Sequence, residues 1–356
     1  MTAKVDSAKP IRAGEELDIA RLQQYLLANL PHATGELSVE QFPSGWSNLT
    51  YLLKLGDQDL VLRRPPFGNA VKSAHDMGRE YRVLSKLCEV FPPAPRPYLF
   101  CADADIIGDE FYVMERRRGV IVRAKNVPEE LTSNPDTLRK LSESLVDCLA
   151  ALHQVDFAAA GLADLGRPQG YVERQVTGWI KRYEAAQTDQ FPQMDQLAKW
   201  LVDHLPGDGR PSLIHNDFKH DNLMLDQHDL TKIVAVLDWE MATVGDPLMD
   251  LGTTLAYWIE ANDNPIRRLG SYGPTYMEGS LTRQEFAARY SAQTGIDTSN
   301  ILFYYCFGTY KLAVIVQQIY ARYVRGATQD ERFANLNQMV QVLGITGIEA
   351  VELGTV

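Results

Sequence analysis

The feature that most constrains this 356-residue chain is a change of pattern close to residue 115. Before it, short strand-like runs at 37–42, 49–55, 60–64 and 110–114 are bounded by turn residues such as Pro43, Gly56-Asp57-Gln58 and Pro65-Pro66. Two helical segments sit among them, 16–30, with an apolar stripe of Leu17, Ile19, Leu22, Tyr25, Leu26 and Leu30, and 75–87. From about residue 131 long helical stretches such as 138–153 take over, interrupted by one strand pair near 223–237. The expectation is an α+β chain of two lobes, β-rich over residues 1–115 and mostly helical over 116–356, with a cleft between. The first dozen residues, small and charged, read as disordered.

Composition narrows the function classes. A formal charge of −11 argues against a nucleic-acid partner. The four cysteines show no CxxC spacing, which fits free thiols in a reducing compartment better than a disulfide framework or zinc site. The N-terminus lacks an apolar signal core. The apolar stretch 301–319 carries Gly308, Lys311, Gln317, Gln318 and several tyrosines, and so reads as a buried helix and not a membrane span. A cytoplasmic protein without membrane partner is expected; these features leave its oligomeric state open.

The chemistry concentrates in two segments, 213–222 (LIHNDFKHDN) and 236–240 (VLDWE). Phosphoryl transfer from ATP needs a carboxylate near the attacking hydroxyl and oxygen ligands that hold Mg²⁺ against the phosphates. Asp217 can be the first; Asn222 and Asp238 can supply the second. The chain between them reads as a hairpin, 223–225 out and 233–237 back with a turn at 227–229, which delivers Asp238 beside Asn222.

These segments resemble the aminoglycoside phosphotransferase-like small-molecule kinases, and more closely the branch also found fused to acyl-CoA-dehydrogenase-like domains. The likeness covers roughly residues 16–350 and includes 42–51 (FPSGWSNLTY), 61–66 (VLRRPP), 111–115 (FYVME) and 245–250 (GDPLMD). It implies a protein-kinase-like two-lobed fold, with Asp217 as base or orienter of the substrate hydroxyl and Asn222 and Asp238 as metal ligands. Lys219 matches the position of a phosphate-contacting lysine in protein kinases, which implies a contact to the γ-phosphate.

The first lobe is expected to hold the nucleotide. Ser44, Gly45, Ser47 and Asn48 lie between two strands, where a phosphate-covering loop belongs, with the Ser47 hydroxyl and Asn48 amide assisting a single glycine. On the third strand Val61 and Arg63 share a face, Val61 against the adenine and Arg63 toward the α/β-phosphates, while Arg64 points away. Protein kinases use lysine where Arg63 stands, and arginine offers a planar fork instead. Glu80 is the expected ion-pair partner of Arg63, and Met114 and Glu115 offer main-chain contacts to the adenine edge. Asp246 followed by Pro247 reads as a helix cap, and Asp246, Asp250, His215 and His153 read as structural.

Seven residues between Asp238 and Asp246 leave no room for a peptide-docking segment, so a small-molecule acceptor is expected. Helices near 171–183 and 284–290 are its expected neighbours. The acceptor is left open between a hydroxyacyl-CoA-like metabolite, whose phosphates Arg174, Lys181 and Arg182 would meet, and an aminoglycoside-like compound. The expected donor is ATP, with GTP left open as the alternative. The rival reading is a catalytically inactive, nucleotide-binding module of the same fold.

Overall fold

The computed structural model of the chain describes residues 5–43, 48–67 and 76–356. Helix α1 (Ile19–Asn29) begins where the Asp18 carboxylate accepts the Arg21 amide, and buries Leu22 and Leu26, one turn apart. There follow β1 (Leu37–Gln41), β2 (Leu49–Leu55), β3 (Gln58–Arg64), α2 (Met77–Leu87), β4 (Pro97–Cys101) and β5 (Phe111–Glu115). The strands form one antiparallel sheet in the order β1-β2-β3-β5-β4. Leu55 pairs with Gln58, so Gly56 and Asp57 make the turn alone, with Gly56 at the positive φ of 56° that such a hairpin requires.

Alternation along β3 divides its side chains between two cores. Leu60 and Leu62 join Leu22, Leu26, Tyr51 and Phe111 on the α1 side. Val61 joins Leu52, Tyr112 and Met114 in a core that continues into the helical part of the molecule. Strand β4 is an addition to the sequence reading: prolines at 95 and 97 mask it, and it is tolerated because it lies at the sheet edge. The disorder expected for the first dozen residues is not met from Val5 onward. Lys9 bridges Gln41 at the other sheet edge, and the Asp6 amide donates to the Gly119 carbonyl at 2.9 Å.

The second part comprises α3 (Glu129–Thr132), α4 (Pro135–His153), α5 (Tyr171–Ala186), α6 (Pro192–Asp203), β6 (Ser212–Ile214), β7 (Leu223–Leu225), β8 (Ile233–Val236), β9 (Thr243–Gly245), α7 (Pro247–Tyr257), α8 (Arg283–Thr294), α9 (Ile301–Val324) and α10 (Leu336–Leu353). Asp246 caps α7 through the Leu248 amide at 2.8 Å, with Pro247 at the first helical position. Helix α9, the apolar stretch of the sequence, is the buried centre of this part. Among the described residues no helix is long and apolar enough to cross a membrane. Helices α7 and α9 cross in backbone contact at Gly252 and Gly308, where a Cβ on either would collide with the opposing main chain.

Candidate active site

Two short ladders frame the site. Strand β6 pairs with β9 and β7 with β8, so the loops 215–222 and 237–242 face each other between the ladders. The Leu237 amide donates to the Asn222 carbonyl at 2.8 Å, which extends the β7–β8 ladder and sets Asp238 beside Asn222. Asn216 Nδ2 donates to the Met241 carbonyl at 3.0 Å, tying the loops at their other end. Asn216 and Asp238 both have left-handed backbones, φ 68° and 67°, a region that short polar side chains tolerate better than most.

Asp217 sits at the centre of a converging set of donors. Its Oδ1 accepts the Tyr257 hydroxyl at 2.8 Å. Its Oδ2 accepts Lys219 Nζ at 2.5 Å and Asn222 Nδ2 at 2.9 Å. Lys219 lies against the Tyr257 and Tyr272 rings, 5.0 and 4.8 Å from their centroids. Burial opposes its charge, yet Asp217, with Asp221 and Tyr272, holds its pKa above the usual lysine range.

The sheet meets this loop through Arg63. Its Nη1 donates to Glu80 Oε1 at 2.6 Å and its Nη2 to Asp238 Oδ1 at 2.9 Å, so one guanidinium joins β3, α2 and the 237–242 loop. Burial opposes ionisation of Arg63, but Glu80, Tyr112 and Asp238 keep its pKa well above the ordinary value. Burial likewise works against the Asp238 carboxylate, and Arg63 overcomes it to hold the group below its usual range. Arg64 points to the opposite face, donating to the Ile107 carbonyl at 2.7 Å. Two further links join the sheet to this loop: Asn48 Nδ2 donates to Glu240 Oε2 at 2.7 Å, and Arg79 donates to the carbonyls of Glu240 and Ala242.

Behind the loops, Asp250 is fully buried and accepts the His215 amide at 2.6 Å, the Asn216 amide at 2.8 Å and His153 Nε2 at 3.1 Å. The Tyr290 hydroxyl holds the other ring nitrogen of His153 at 2.7 Å. His215 lies between the motifs, its Nδ1 accepting the Asp217 amide at 3.2 Å and its Nε2 meeting the Leu237 carbonyl at 2.9 Å. Burial lowers its pKa, so the ring is neutral and donates from Nε2. From α9, Lys311 Nζ donates to the Asn216 carbonyl at 2.8 Å.

The fold therefore brings together Arg63, Glu80, Asp217, Lys219, Asn222 and Asp238. Val61 and Met114 are paired across β3 and β5 and both buried. The Glu115 amide is already bonded to the Arg96 carbonyl at 2.9 Å, which removes it from the main-chain contacts expected of that segment. Asn48, expected to assist a phosphate loop, donates from Nδ2 to Glu240 Oε2. Ser44, Gly45 and Ser47 lie outside the described residues. Segment 284–290 is corrected as an acceptor neighbour, because Tyr290 contacts His153 behind Asp250. Arg174 donates to the carbonyls of Arg167 and Gln169.

Tyr257, Tyr272, Lys311 and Glu240 were not singled out as site residues in the sequence. Tyr257 had a usable signal, since it follows Asp250 by seven residues on the same face of α7. Glu240 lies within the 236–240 segment itself, while Tyr272 and Lys311 meet the loops only through tertiary packing.

The donor set at the loop junction is oxygen only. Asn222 spends its amide nitrogen on Asp217 and so presents Oδ1, while Asp238 Oδ2 accepts no hydrogen bond from the described residues. Hard oxygen donors of this kind fit Mg²⁺. Among the described residues no group of three His, Cys, Asp or Glu side chains could hold an ion unaided, so any ion here would complete its shell with water or phosphate oxygens.

Comparison with known proteins gives this geometry a family. The model of the phosphotransferase enzyme family matches residues 38–289. Acyl-CoA dehydrogenase family member 11 of Rattus norvegicus is 37% identical over 341 residues, covering 94% of this chain and 43% of the rat protein. The chain thus spans less than half the length of the curated relatives it matches first. A Ralstonia eutropha protein described as a candidate aminoglycoside phosphotransferase superposes with a TM-score of 0.81 at 29% identity, over 95% of this chain and 99% of its own. Choline kinase from Cryptosporidium parvum shares the fold, with a TM-score of 0.66 at 13% identity over 95% of this chain and 97% of its own. With the family's pattern running from β1 into α8 and its two-lobed α+β fold around the cleft, the chain belongs to the phosphotransferase enzyme family.

Proposed function

We propose that the cleft transfers the γ-phosphoryl group of a nucleoside triphosphate, ATP in the first instance, to a hydroxyl of a small molecule. The observation that carries this reading is the Asp217 carboxylate held by Tyr257, Lys219 and Asn222, next to an Asp238 that Arg63 ties to Glu80.

Asp217 Oδ2 or Oδ1 accepts the proton as the substrate hydroxyl oxygen bonds to phosphorus and the bond to the nucleoside diphosphate breaks. Lys219 supplies positive charge beside the transferring group, and its aromatic box keeps the ammonium from wandering. Arg63, oriented by Glu80, reaches the α/β-phosphates with its planar fork. Asn222 Oδ1 and the Asp238 carboxylate would hold Mg²⁺, which when bound neutralises charge on the phosphates. Val61 and Met114 supply apolar wall on the cleft side of the sheet, against the adenine. The lobes divide at residue 115, where β5 ends. Four cysteines without a disulfide support a reducing, cytoplasmic setting.

The likeness to part of an acyl-CoA dehydrogenase family protein supports a hydroxyacyl-CoA-like acceptor over an aminoglycoside. The test is nucleotide consumption with Mg²⁺ against a panel of hydroxyacyl-CoAs, other hydroxylated metabolites and aminoglycosides. Acceptor-dependent formation of nucleoside diphosphate and a phosphorylated product is expected. Tight Mg²⁺-nucleotide binding with no turnover on any acceptor would favour a non-catalytic nucleotide-binding module instead.

A further inference from the structure

The phosphotransfer reading leaves a buried cation beside the site without a task. Lys311 lies on α9 close to the Gly308 crossing and is 3% exposed. Its ammonium donates to the Asn216 carbonyl at 2.8 Å and faces the Trp179 ring of α5, 5.8 Å from the centroid. Asp217 of the 215–222 loop and Asp250 of α7 favour its charge from a distance, while Lys219 and Arg182 of α5 oppose it. Burying an ammonium on a carbonyl and a ring is costly, and leucine or methionine would pack the same space without that cost. Packing alone does not account for a lysine here.

The bond falls at a telling place. The Asn216 carbonyl and the Asp217 amide belong to one peptide plane, which follows a residue at φ 68°. Lys311 holds the oxygen of that plane, and His215 Nδ1 holds its N–H at 3.2 Å. With both ends held, the plane cannot rotate, and the direction in which Asp217 leaves the backbone is set.

We propose that Lys311 is a positioning residue for phosphoryl transfer, which aims the Asp217 carboxylate by locking the Asn216–Asp217 peptide plane. This rests on the phosphotransfer reading of Asp217. It carries a pH signature. Burial lowers the Lys311 ammonium to about 8, Asp217 and Asp250 resisting. Lys219 stays above the ordinary lysine value and Asp250 below the ordinary carboxylate range, so neither titrates in the same window. Above about pH 8 the neutral amine is the weaker donor, and turnover falls. Stability moves the opposite way. Between about pH 8 and the unfolded lysine value of ~10.4 the unfolded chain holds the extra proton, so this group makes the fold more stable as pH rises.

The experiment compares wild type with Lys311→Met and Lys311→Arg. It reads kcat and KM against pH with the acceptor found by the panel, Mg²⁺-ATP binding by calorimetry, and hydrogen exchange at the Asp217 amide. Lys311→Met is expected to lower kcat by roughly 10²-fold, the scale of a small misplacement of a reacting group. Its KM and nucleotide affinity stay near wild type, its alkaline limb disappears, and Asp217 exchange accelerates. Lys311→Arg restores most of kcat and carries the limb to higher pH. A wild-type kcat that is flat through pH 8, or a Lys311→Met enzyme with wild-type turnover, overturns the proposal. If a variant does not fold, the wild-type profile decides. Exchange requires no acceptor: unchanged protection at Asp217 in Lys311→Met refutes the lock by itself. Lost protection, together with a wild type inactive on every acceptor, refutes only the phosphotransfer reading.

Discussion

Replacing Asp217 with asparagine tests the proposed chemistry with little disturbance of the fold. The carboxylate receives donors on both oxygens, Tyr257 on Oδ1 and Lys219 with Asn222 on Oδ2. An ammonium and an amide N–H can only donate, so the new side chain must keep its oxygen toward Lys219 and Asn222. Its NH₂ then faces Tyr257, whose hydroxyl oxygen can turn to accept. The Asn222 contact survives, and with it the orientation of Asn222 Oδ1. What is lost is the negative charge and the lone pair that takes the hydroxyl proton, so turnover should fall roughly 10²–10⁴-fold. That corresponds to about 3–5 kcal/mol of barrier. The ion pair with Lys219 becomes an ion–neutral bond, at a stability cost of about 1 kcal/mol after discounting for partial exposure. The assay is turnover alongside calorimetric titration with Mg²⁺-nucleotide, where affinity should stay within about threefold of wild type. Near-normal turnover would remove Asp217 from the mechanism. Loss of Mg²⁺-nucleotide binding would move it into the metal site and refute the division of roles.

Nucleotide with Mg²⁺ should raise the melting temperature more than nucleotide alone, and Asp238→Ala should abolish the difference; equal shifts in wild type would count against Asn222 and Asp238 as ligands. Arg63→Lys should keep some activity with a raised nucleotide KM, while Arg63→Ala leaves Glu80 buried and unpaired and destabilises by about 3 kcal/mol or more in denaturant titration. Asp250→Ala strands two buried loop amides and His153, and should cost about 3–5 kcal/mol by the same titration. Burial opposes the Asp250 charge, but His153 and the loop amides hold its carboxyl below the ordinary range. Its stabilising contribution is therefore complete above the unfolded Asp value of about 3.9 and is lost as pH falls through the lower folded value. Asp250→Asn should flatten that part of the acid limb of a stability–pH curve, and an unchanged limb would exclude the assignment.

Local signals fared well where one segment carried the whole message. The hairpin 223–237 was legible because turn residues separate two apolar runs, and pairing followed; the structure closes it at Leu223–Val236 and so places Asp238 beside Asn222. The face of Arg63 was legible for the same reason, since strand side chains alternate whatever the strand packs against. The cap at Asp246-Pro247 needed only its own helix. Edge strand β4 was missed because its prolines count against a strand locally, and only an edge position makes them harmless.

What the sequence by itself determined, then, was what repeats along the chain or lies within one turn or hairpin: the α+β class with its strands gathered ahead of its long helices, the hairpin 223–237 and the face of β3 that carries Arg63. What the tertiary structure alone decided was how these pieces meet. No local pattern places Lys311 under Asn216; that contact exists because Gly252 and Gly308 let α7 and α9 cross in backbone contact. Tyr272 reaches Lys219, and Asn48 reaches Glu240 across 192 residues, by the same kind of long-range packing. Periodicity records which face of an element is buried, but the partner on the other side of that face is chosen by the shape of the whole core.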